Sequence, residues 1–408
     1  GVASTTAVSI GSQVMHMLTV MIVGLAMGPT VLIGQAVGGG DRQRAARGVG
    51  NTVTLFMTLS LVLTAVLLML VRPIVAVMAT PEEAVAGTAR YLVICFSGIP
   101  LITAYNILSA IFRGMGDSKS PLSFIAVACA ANIALDYLFM GAFHLGPAGA
   151  AFGTTLAQAI SVGIALWTVK SKKGGLALTK ETCRPQRDVM GSILSIGVPI
   201  ALQDGLIQVA FIVITIIANH RGLTDAAAVG IVEKVISFPF LVPSSMLSTV
   251  SALGAQNIGA GKPARAVQTL KYAMMIAAGF GLTAAVLMQW IARPVVALFT
   301  ADEAAIAAGG QYLQGYIWDC LFAGVHFSFS GYFCAVGRSG LSFLHNVIAI
   351  ALVRVPGVYL ASTLFPQTLL PMGLATAVGS LVSVLICCVA FALLQRRSRG
   401  MAGGNAHG

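Results

Sequence analysis

Gly38-Gly-Gly-Asp-Arg-Gln-Arg-Ala45 is the first copy of a segment that returns 221 residues later as Gly259-Ala-Gly-Lys-Pro-Ala-Arg-Ala266. Other positions keep the same offset: Gln35 and Gln256, Arg72-Pro73 and Arg293-Pro294, Tyr91-Leu92 and Tyr312-Leu313, and Ser118 and Ser339. The chain therefore contains one unit twice. An internal repeat in a membrane chain is typical of transporters built from two helical bundles around a central pathway.

The composition is that of a membrane protein. Hydrophobic residues make up 57% of the chain, charged residues only 9%, and the mean hydropathy is +0.90. About 20 apolar residues cross a bilayer as a helix, whereas a membrane barrel shows short alternating segments. We therefore predict an all-α polytopic membrane protein with about eleven spans. They lie near residues 8–33, 53–71, 91–112, 122–143, 148–169, 193–217, 226–253, 272–291, 312–333, 343–365 and 375–394.

The net charge of +11 is distributed unevenly between the loops. Eighteen of the 24 lysines and arginines fall in alternate loops and at the C-terminus, and the opposite loops hold four: Arg72, Arg90, Arg221 and Arg293. The positive-inside rule places the richer side in the cytoplasm. This pattern predicts a multi-pass protein of the cytoplasmic (inner) membrane, with the central linker and the C-terminus inside. It also removes nucleic acid as the reason for the basic charge.

The repeat predicts the domain organisation. We expect a first lobe at residues 1–169, a basic cytoplasmic linker at 170–187, a second lobe at 188–395 and a cytoplasmic tail at 396–408. Gly1 aligns with Gly222, so the span near 193–217 has no partner, and we expect the first lobe to lack its first helix here. With that helix, each lobe has six spans, and an even number predicts a pseudo-two-fold axis along the membrane normal.

Motifs of catalysis and cofactor binding are missing from the sequence. The seven cysteines contain no C-x-x-C pair, the six histidines no H-E-x-x-H motif, and Gly38-Gly-Gly40 is not followed by the lysine of a phosphate-binding loop. We predict that the protein is not an enzyme. We also predict no catalytic residue, no metal site and no cofactor other than a coupling ion.

Three segments of the first half resemble the multidrug and toxic compound extrusion (MATE) family: Arg113-Gly-Met-Gly-Asp-Ser-Lys-Ser-Pro121, Asn132-Ile-Ala-Leu-Asp136 and Gly146-Pro-Ala-Gly-Ala-Ala-Phe-Gly-Thr154. The second half adds Gly254-Ala-Gln-Asn-Ile-Gly-Ala-Gly261. The resemblance implies twelve helices in two six-helix lobes. It also implies the export of organic cations or amphipathic drugs in exchange for protons or sodium, by a protein that we expect to be monomeric.

Members of the DNA-damage-inducible F branch, which this chain resembles, place an acidic and amide network in the first lobe. Asp136 and Asn132 lie four residues apart and therefore on one helix face. A carboxylate at the bilayer centre costs about 2.5–3.5 kcal/mol and is rarely kept without a role. We predict Asp136 and Asn132 as the proton- or cation-coupling site, with Thr154 and Asn106 completing the set.

Sodium-coupled relatives use carboxylates in the second lobe. The candidates there are Asp204 with Gln203, Glu233 and Asp319, which form a possible second cation or substrate site. Each has a structural alternative: Lys234 could neutralise Glu233, Asp319 could lie near the interface, and Arg354 could pair with a carboxylate.

Two functions remain open from the sequence. The first is drug–cation antiport, and the alternative is a flippase for lipid-linked oligosaccharides. A flippase for an anionic pyrophosphate needs several cations in its cavity. Only Lys234 and Arg354 lie well inside the predicted spans, against several carboxylates, and this balance favours a cationic cargo.

Overall fold

The computed structural model describes residues 2–78, 80–171 and 179–404. Within these ranges every regular element is helical, and no strand occurs, which confirms the predicted all-α class. The chain forms two compact units, Gly1–Ala201 and Leu202–Gly408. Each unit is a lobe of packed helices.

The first lobe is built from seven helices and the first part of an eighth. Its elements are α1 (Val2–Leu25), α2 (Met27–Gly38), α3 (Arg42–Val77), α4 (Glu82–Ser97), α5 (Ile99–Gly114), α6 (Lys119–Asp136), a π-helical segment (Tyr137–Ala142), α7 (Gly146–Ser171) and the start of α8 (Arg187–Asn219). Pro100 follows the break at Gly98, where α4 and α5 bend by 47°. Proline is a usual cause of such a bend.

The second lobe continues from α8. Its elements are α9 (Leu223–Ser237), α10 (Leu241–Gly259), α11 (Pro263–Ala297), α12 (Glu303–Tyr316), α13 (Trp318–Ala335), α14 (Gly340–Ala349), a second π-helical segment (Ile350–Arg354), α15 (Val355–Leu364) and α16 (Leu370–Gly404). Its core centres on the buried rings of Tyr312 and Tyr316, with Ile317 beside them.

The structure repeats with the offset of the sequence. Helices α3, α4 and α6 begin 221 residues before α11, α12 and α14. The turns repeat as well: Gly40 and Gly261 have φ values of 73° and 69°, and Gly116 and Gly337 have φ values of 87° and 72°. Positive φ is the region that glycine adopts without a steric penalty. The two halves therefore share one helix plan, down to the turns that need glycine.

The number of spans differs from the prediction. Nine helical segments of the described chain are long and apolar enough to cross a membrane, and the bent pair α4–α5 makes ten. The expected span near 312–333 is divided between α12 and α13 and is not among them. The reason is its composition: α13 carries Asp319, His326, Ser328 and Ser330, all buried, among its eighteen residues. Burial inside the lobe, not contact with lipid, explains its polarity.

The second half of the predicted linker packs against the first lobe, while residues 172–178 lie outside the described chain. Asn51 donates to the Thr182 carbonyl at 3.3 Å and accepts from the Gln186 amide at 2.8 Å. A Cβ at Gly28 would collide with the Ile193 carbonyl, so α8 also begins in close contact with this lobe. The two compact units divide inside α8, after residue 201.

The turn between α13 and α14 offers a matched pair of glycines. A Cβ added at Gly337 or at Gly340 would meet no atom within 4 Å, but only Gly337 has positive φ. We expect Gly337→Ala to lower the free energy of unfolding by about 1–2 kcal/mol, because an L residue is strained in the left-handed region. Gly340→Ala should be neutral or stabilising. Thermal unfolding in detergent would compare them, and equal melting temperatures would contradict the role given to φ.

Candidate functional site

Asp136 lies at the end of α6, where the helix changes to the π-helical segment. Its Oδ1 atom is buried and has no hydrogen-bond partner among the described residues. π-Helical segments in otherwise regular helices frequently occur at functional sites. The carboxyl group is therefore both unsatisfied and placed at an irregular point of the backbone.

Glycines on α7 make room for this carboxyl group. A Cβ at Gly153 would collide with Asp136 Oδ1, and a Cβ at Gly149 would lie 3.1 Å from the Phe139 carbonyl. Small residues allow membrane helices to approach each other closely. The glycines thus bring α7 against the carboxyl group and leave no room for a side chain between them.

Several polar atoms near these helices are buried without a partner. None of these atoms has a hydrogen bond in the described chain. They are Asn132 Nδ2, Thr155 Oγ1 and Gln158 Oε1. Tyr91 on α4 lies within electrostatic range of Asp136, and its hydroxyl is 3.2 Å from Ser12 Oγ on α1. Buried polar atoms without partners are costly. The first lobe therefore holds a polar region whose hydrogen-bonding capacity is not used up by the protein.

The four first-lobe candidates are only partly brought together. Asp136 and Asn132 share one face of α6, as the spacing predicts. The Thr154 hydroxyl instead donates to the Ala150 carbonyl at 3.1 Å, and Asn106 Nδ2 donates to the Ile102 carbonyl at 2.8 Å. Both groups thus bond within their own helices. Thr155 and Gln158, not singled out from the sequence, have the unpartnered atoms on α7.

In the second lobe Asp319 and Arg354 form a buried ion pair. Arg354 Nη2 lies 2.9 Å from Asp319 Oδ2 and 3.1 Å from the Tyr316 hydroxyl, and the Asp319 side chain is fully buried. The guanidinium also lies over the rings of Phe211 and Tyr316, with centroid distances of 5.6 and 5.8 Å. Arg354 is therefore the structural partner of a carboxylate, and Asp319 lies inside the lobe instead of near the interface.

Glu233 has a hydroxyl partner. Thr215 Oγ1 lies 3.2 and 3.3 Å from its two carboxylate oxygens, whereas the Lys234 side chain is exposed. Glu233 also lies within electrostatic range of Tyr312 and Arg354. Glu233 and Tyr312 are 221 residues beyond Ser12 and Tyr91, so a carboxylate stands in the second lobe at the position of a hydroxyl in the first. The hydrogen bond itself is not repeated, because the Tyr312 hydroxyl has no partner among the described residues.

Asp204 and Gln203 lie apart from the Asp319–Arg354 pair. Gln203 is fully buried, and neither its Nε2 nor its Oε1 has a partner among the described residues. Asp204 lies within electrostatic range of Cys334 on α13. Asp204 and Thr215 are eleven residues apart on α8, about 16 Å along the helix. The second-lobe candidates therefore form two separate groups.

A buried histidine and serine network was missed by the sequence analysis. His345 Nε2 lies 2.9 Å from Ser330 Oγ, and His345 Nδ1 lies 3.1 Å from Ser383 Oγ. The His326 ring packs against His345 with centroids 5.5 Å apart. The signal was the i, i+3, i+4 spacing of Ser342, His345 and Asn346, which puts three polar residues on one face of a predicted span.

These features define a class of protein. Two lobes with one helix plan, each holding ionisable groups inside membrane-spanning helices, are the architecture of a membrane transporter. Known proteins agree with this class. The MatE family model matches residues 1–138 and 199–360, more than half of the chain, so the protein belongs to the MatE (MATE) family.

Relatives and solved structures are similar along most of their length. The "Probable multidrug resistance protein YpnP" of Bacillus subtilis is 28% identical over 403 residues, covering 98% of this chain and 88% of that protein. The "Multidrug export protein MepA" of Staphylococcus aureus (strain N315) is 23% identical over 321 residues, covering 79% and 69%. A solved "outward-facing conformation of a multidrug resistance MATE family transporter" matches with a TM-score of 0.90 and 19% identity, covering 97% and 90%. This last match confirms the fold.

The Asp319–Arg354 pair can be tested by a double-mutant cycle. We expect Arg354→Met alone to lower the free energy of unfolding by about 3–5 kcal/mol, because it leaves a buried carboxylate without a counter-charge. Asp319→Asn alone should also destabilise. The double variant should lose much less free energy of unfolding than the sum of the losses in the two single variants. Thermal unfolding of the four proteins in one detergent gives the coupling, and additive losses would show that the two groups do not interact.

Proposed function

We propose that the protein exports cationic or amphipathic drugs across the membrane in exchange for protons, and that Asp136 is the coupling carboxylate. The supporting observation is the contrast between two carboxylates. Both carboxylates have a buried Oδ1 without a partner in the described chain, but Asp319 is paired through its Oδ2 with Arg354, whereas Asp136 has no ion-pair partner there. The multidrug names of the curated relatives support the choice of cargo.

Protonation of Asp136 removes a charge from a partly buried side chain whose Oδ1 atom is enclosed by the protein. A charged side chain inside the membrane costs about 2.5–3.5 kcal/mol, and this energy is available to shift the balance between two conformations. Asn132, one turn earlier on the same face of α6, carries an Nδ2 without a partner in the described chain and is the amide donor offered to the ionised carboxylate. A cationic drug competes for the same negative charge, so proton and drug would exclude each other.

The flippase alternative has less support. A lipid-linked pyrophosphate needs free cations, preferably arginines, for charge-assisted hydrogen bonds. Arg354 is engaged with Asp319 and Tyr316, and Lys234 is exposed. These are the two cations predicted to lie well inside the spans, and neither is available inside the lobe to bind a pyrophosphate.

Replacement of the carboxyl group tests the proposal. We expect Asp136→Asn to reduce drug efflux driven by a pH gradient to the level of protein-free vesicles, because the amide cannot load a proton. Asp41→Asn is the matched control, since Asp41 caps α3 outside the spans by accepting from the Arg44 amide at 2.8 Å. The measurement is drug uptake into inverted vesicles under an imposed pH or sodium gradient. Wild-type efflux rates in Asp136→Asn would overturn the assignment of Asp136 as the coupling carboxylate. Efflux driven by a sodium gradient alone would overturn the proton as the coupling ion.

The position of the carboxyl group is tested by two glycines on α7. We expect Gly153→Ala to lower pH-driven efflux, because the added methyl group must displace Asp136 Oδ1. Gly163→Ala adds the same methyl group to the same helix with nothing within 4 Å, and should transport like the wild type. Equal efflux rates in the two variants would show that the Gly153 contact does not hold the carboxyl group in its working position.

A further inference from the structure

A cleft of about 780 Å³ opens on the second lobe between α13, α14 and α16. Its walls are apolar, with Leu344, Leu385, Val389 and Leu393 all between 51% and 61% exposed. The volume lies in the range of ligand sites in proteins, about 300–1,000 Å³. An apolar cleft of this size on a membrane-spanning helix faces lipid, not water.

The polar groups in the cleft are few. His345 forms part of the wall, but both of its ring nitrogens are engaged with Ser330 and Ser383. Arg396 is the permanently charged residue among the described lining residues. The cleft therefore offers an apolar trough with one positive charge, and that charge stands at the end of the trough along α16.

The length of the cleft matches one leaflet of a bilayer. Leu385 and Arg396 are eleven residues apart on α16, about 16 Å at 1.5 Å per residue. Half of a hydrocarbon core of about 30 Å is about 15 Å. An acyl chain of one leaflet would thus lie along the leucines and valine and bring its headgroup to the level of Arg396.

The charge at this end selects the headgroup. Arg338, three residues before the lining residue Leu341, is exposed at the same end, and Arg397 and Arg399 follow Arg396 in the sequence. The charge bias of the loops assigns this end to the cytoplasm. Basic pockets between membrane helices on that side bind anionic lipid headgroups. A cationic drug would be repelled here.

From the cleft's shape and charge we infer that it is a binding site for one anionic phospholipid of the cytoplasmic leaflet. The acyl chain packs on Leu385, Val389 and Leu393, and the headgroup phosphate binds Arg396. The site is independent of the coupling carboxylate and of the transported drug, so it stands or falls separately from the proposed function.

Native mass spectrometry of the full chain, released from nanodiscs with equal phosphatidylglycerol and phosphatidylcholine of the same acyl chains, tests the inference. We expect the wild type to retain one phosphatidylglycerol in preference to phosphatidylcholine. Arg396→Gln should lower this preference about fivefold, which corresponds to about 1 kcal/mol for one basic residue near the membrane surface. Arg42→Gln removes a positive charge at the start of α3 and is the matched control.

A second variant separates the cleft from the charge. Val389→Trp fills the trough and keeps Arg396, so it should abolish the retained lipid while the protein elutes as the wild type does in size-exclusion chromatography. Equal retention of the two lipids by the wild type, or unchanged retention in Arg396→Gln, would overturn the inference. A third outcome would also overturn it. If Val389→Trp lost bound tetraphenylphosphonium, a cationic probe of the drug cargo, and still retained phosphatidylglycerol, the cleft would hold cargo instead of lipid.

Discussion

A carboxylate in the hydrocarbon layer has no water to solvate it, and the two lobes meet this constraint in different ways. The second lobe gives Asp319 a guanidinium at 2.9 Å, which also lies over the rings of Phe211 and Tyr316. The first lobe leaves Asp136 beside Gly153 with an oxygen that has no partner in the described chain. A paired carboxylate resists protonation, because losing its negative charge would leave the partner's positive charge buried without a counter-charge. An unpaired carboxylate is relieved by protonation. The proposed difference in role between Asp136 and Asp319 follows from this contrast.

The repeat gives both lobes the same backbone plan, and the two carboxylates differ within it. Tyr91 beside Ser12 in the first lobe and Tyr312 beside Glu233 in the second occupy matching positions, and both tyrosines are buried. Each lobe also has a π-helical segment next to or around a charged residue, Asp136 or Arg354. The backbone plan is therefore shared, whereas the sign and the pairing of the charges are not.

The interior of the second lobe is more polar than its membrane setting suggests. Ser330, His345 and Ser383 are linked by hydrogen bonds on membrane helices of this lobe. The buried amide of Gln203 has no partner among the described residues. Helix packing makes this possible, because polar side chains that face a neighbouring helix do not contact lipid. The same principle explains why α13 is too polar to count among the long apolar helices, whereas α12, with fourteen residues, is too short. A helix enclosed by its own lobe needs no continuous apolar surface.

The sequence by itself determined the helical class, the two-fold repeat, and Asp136 with Asn132 on one face of a helix. These depend on local chemistry: apolar run length and the 3.6-residue period. The tertiary structure alone decided that Arg354 binds Asp319, that Gly153 packs against Asp136, and that His345 joins two serines. Such contacts unite residues from different helices, so they depend on helix rotation and approach. A single sequence does not encode those quantities in any local pattern.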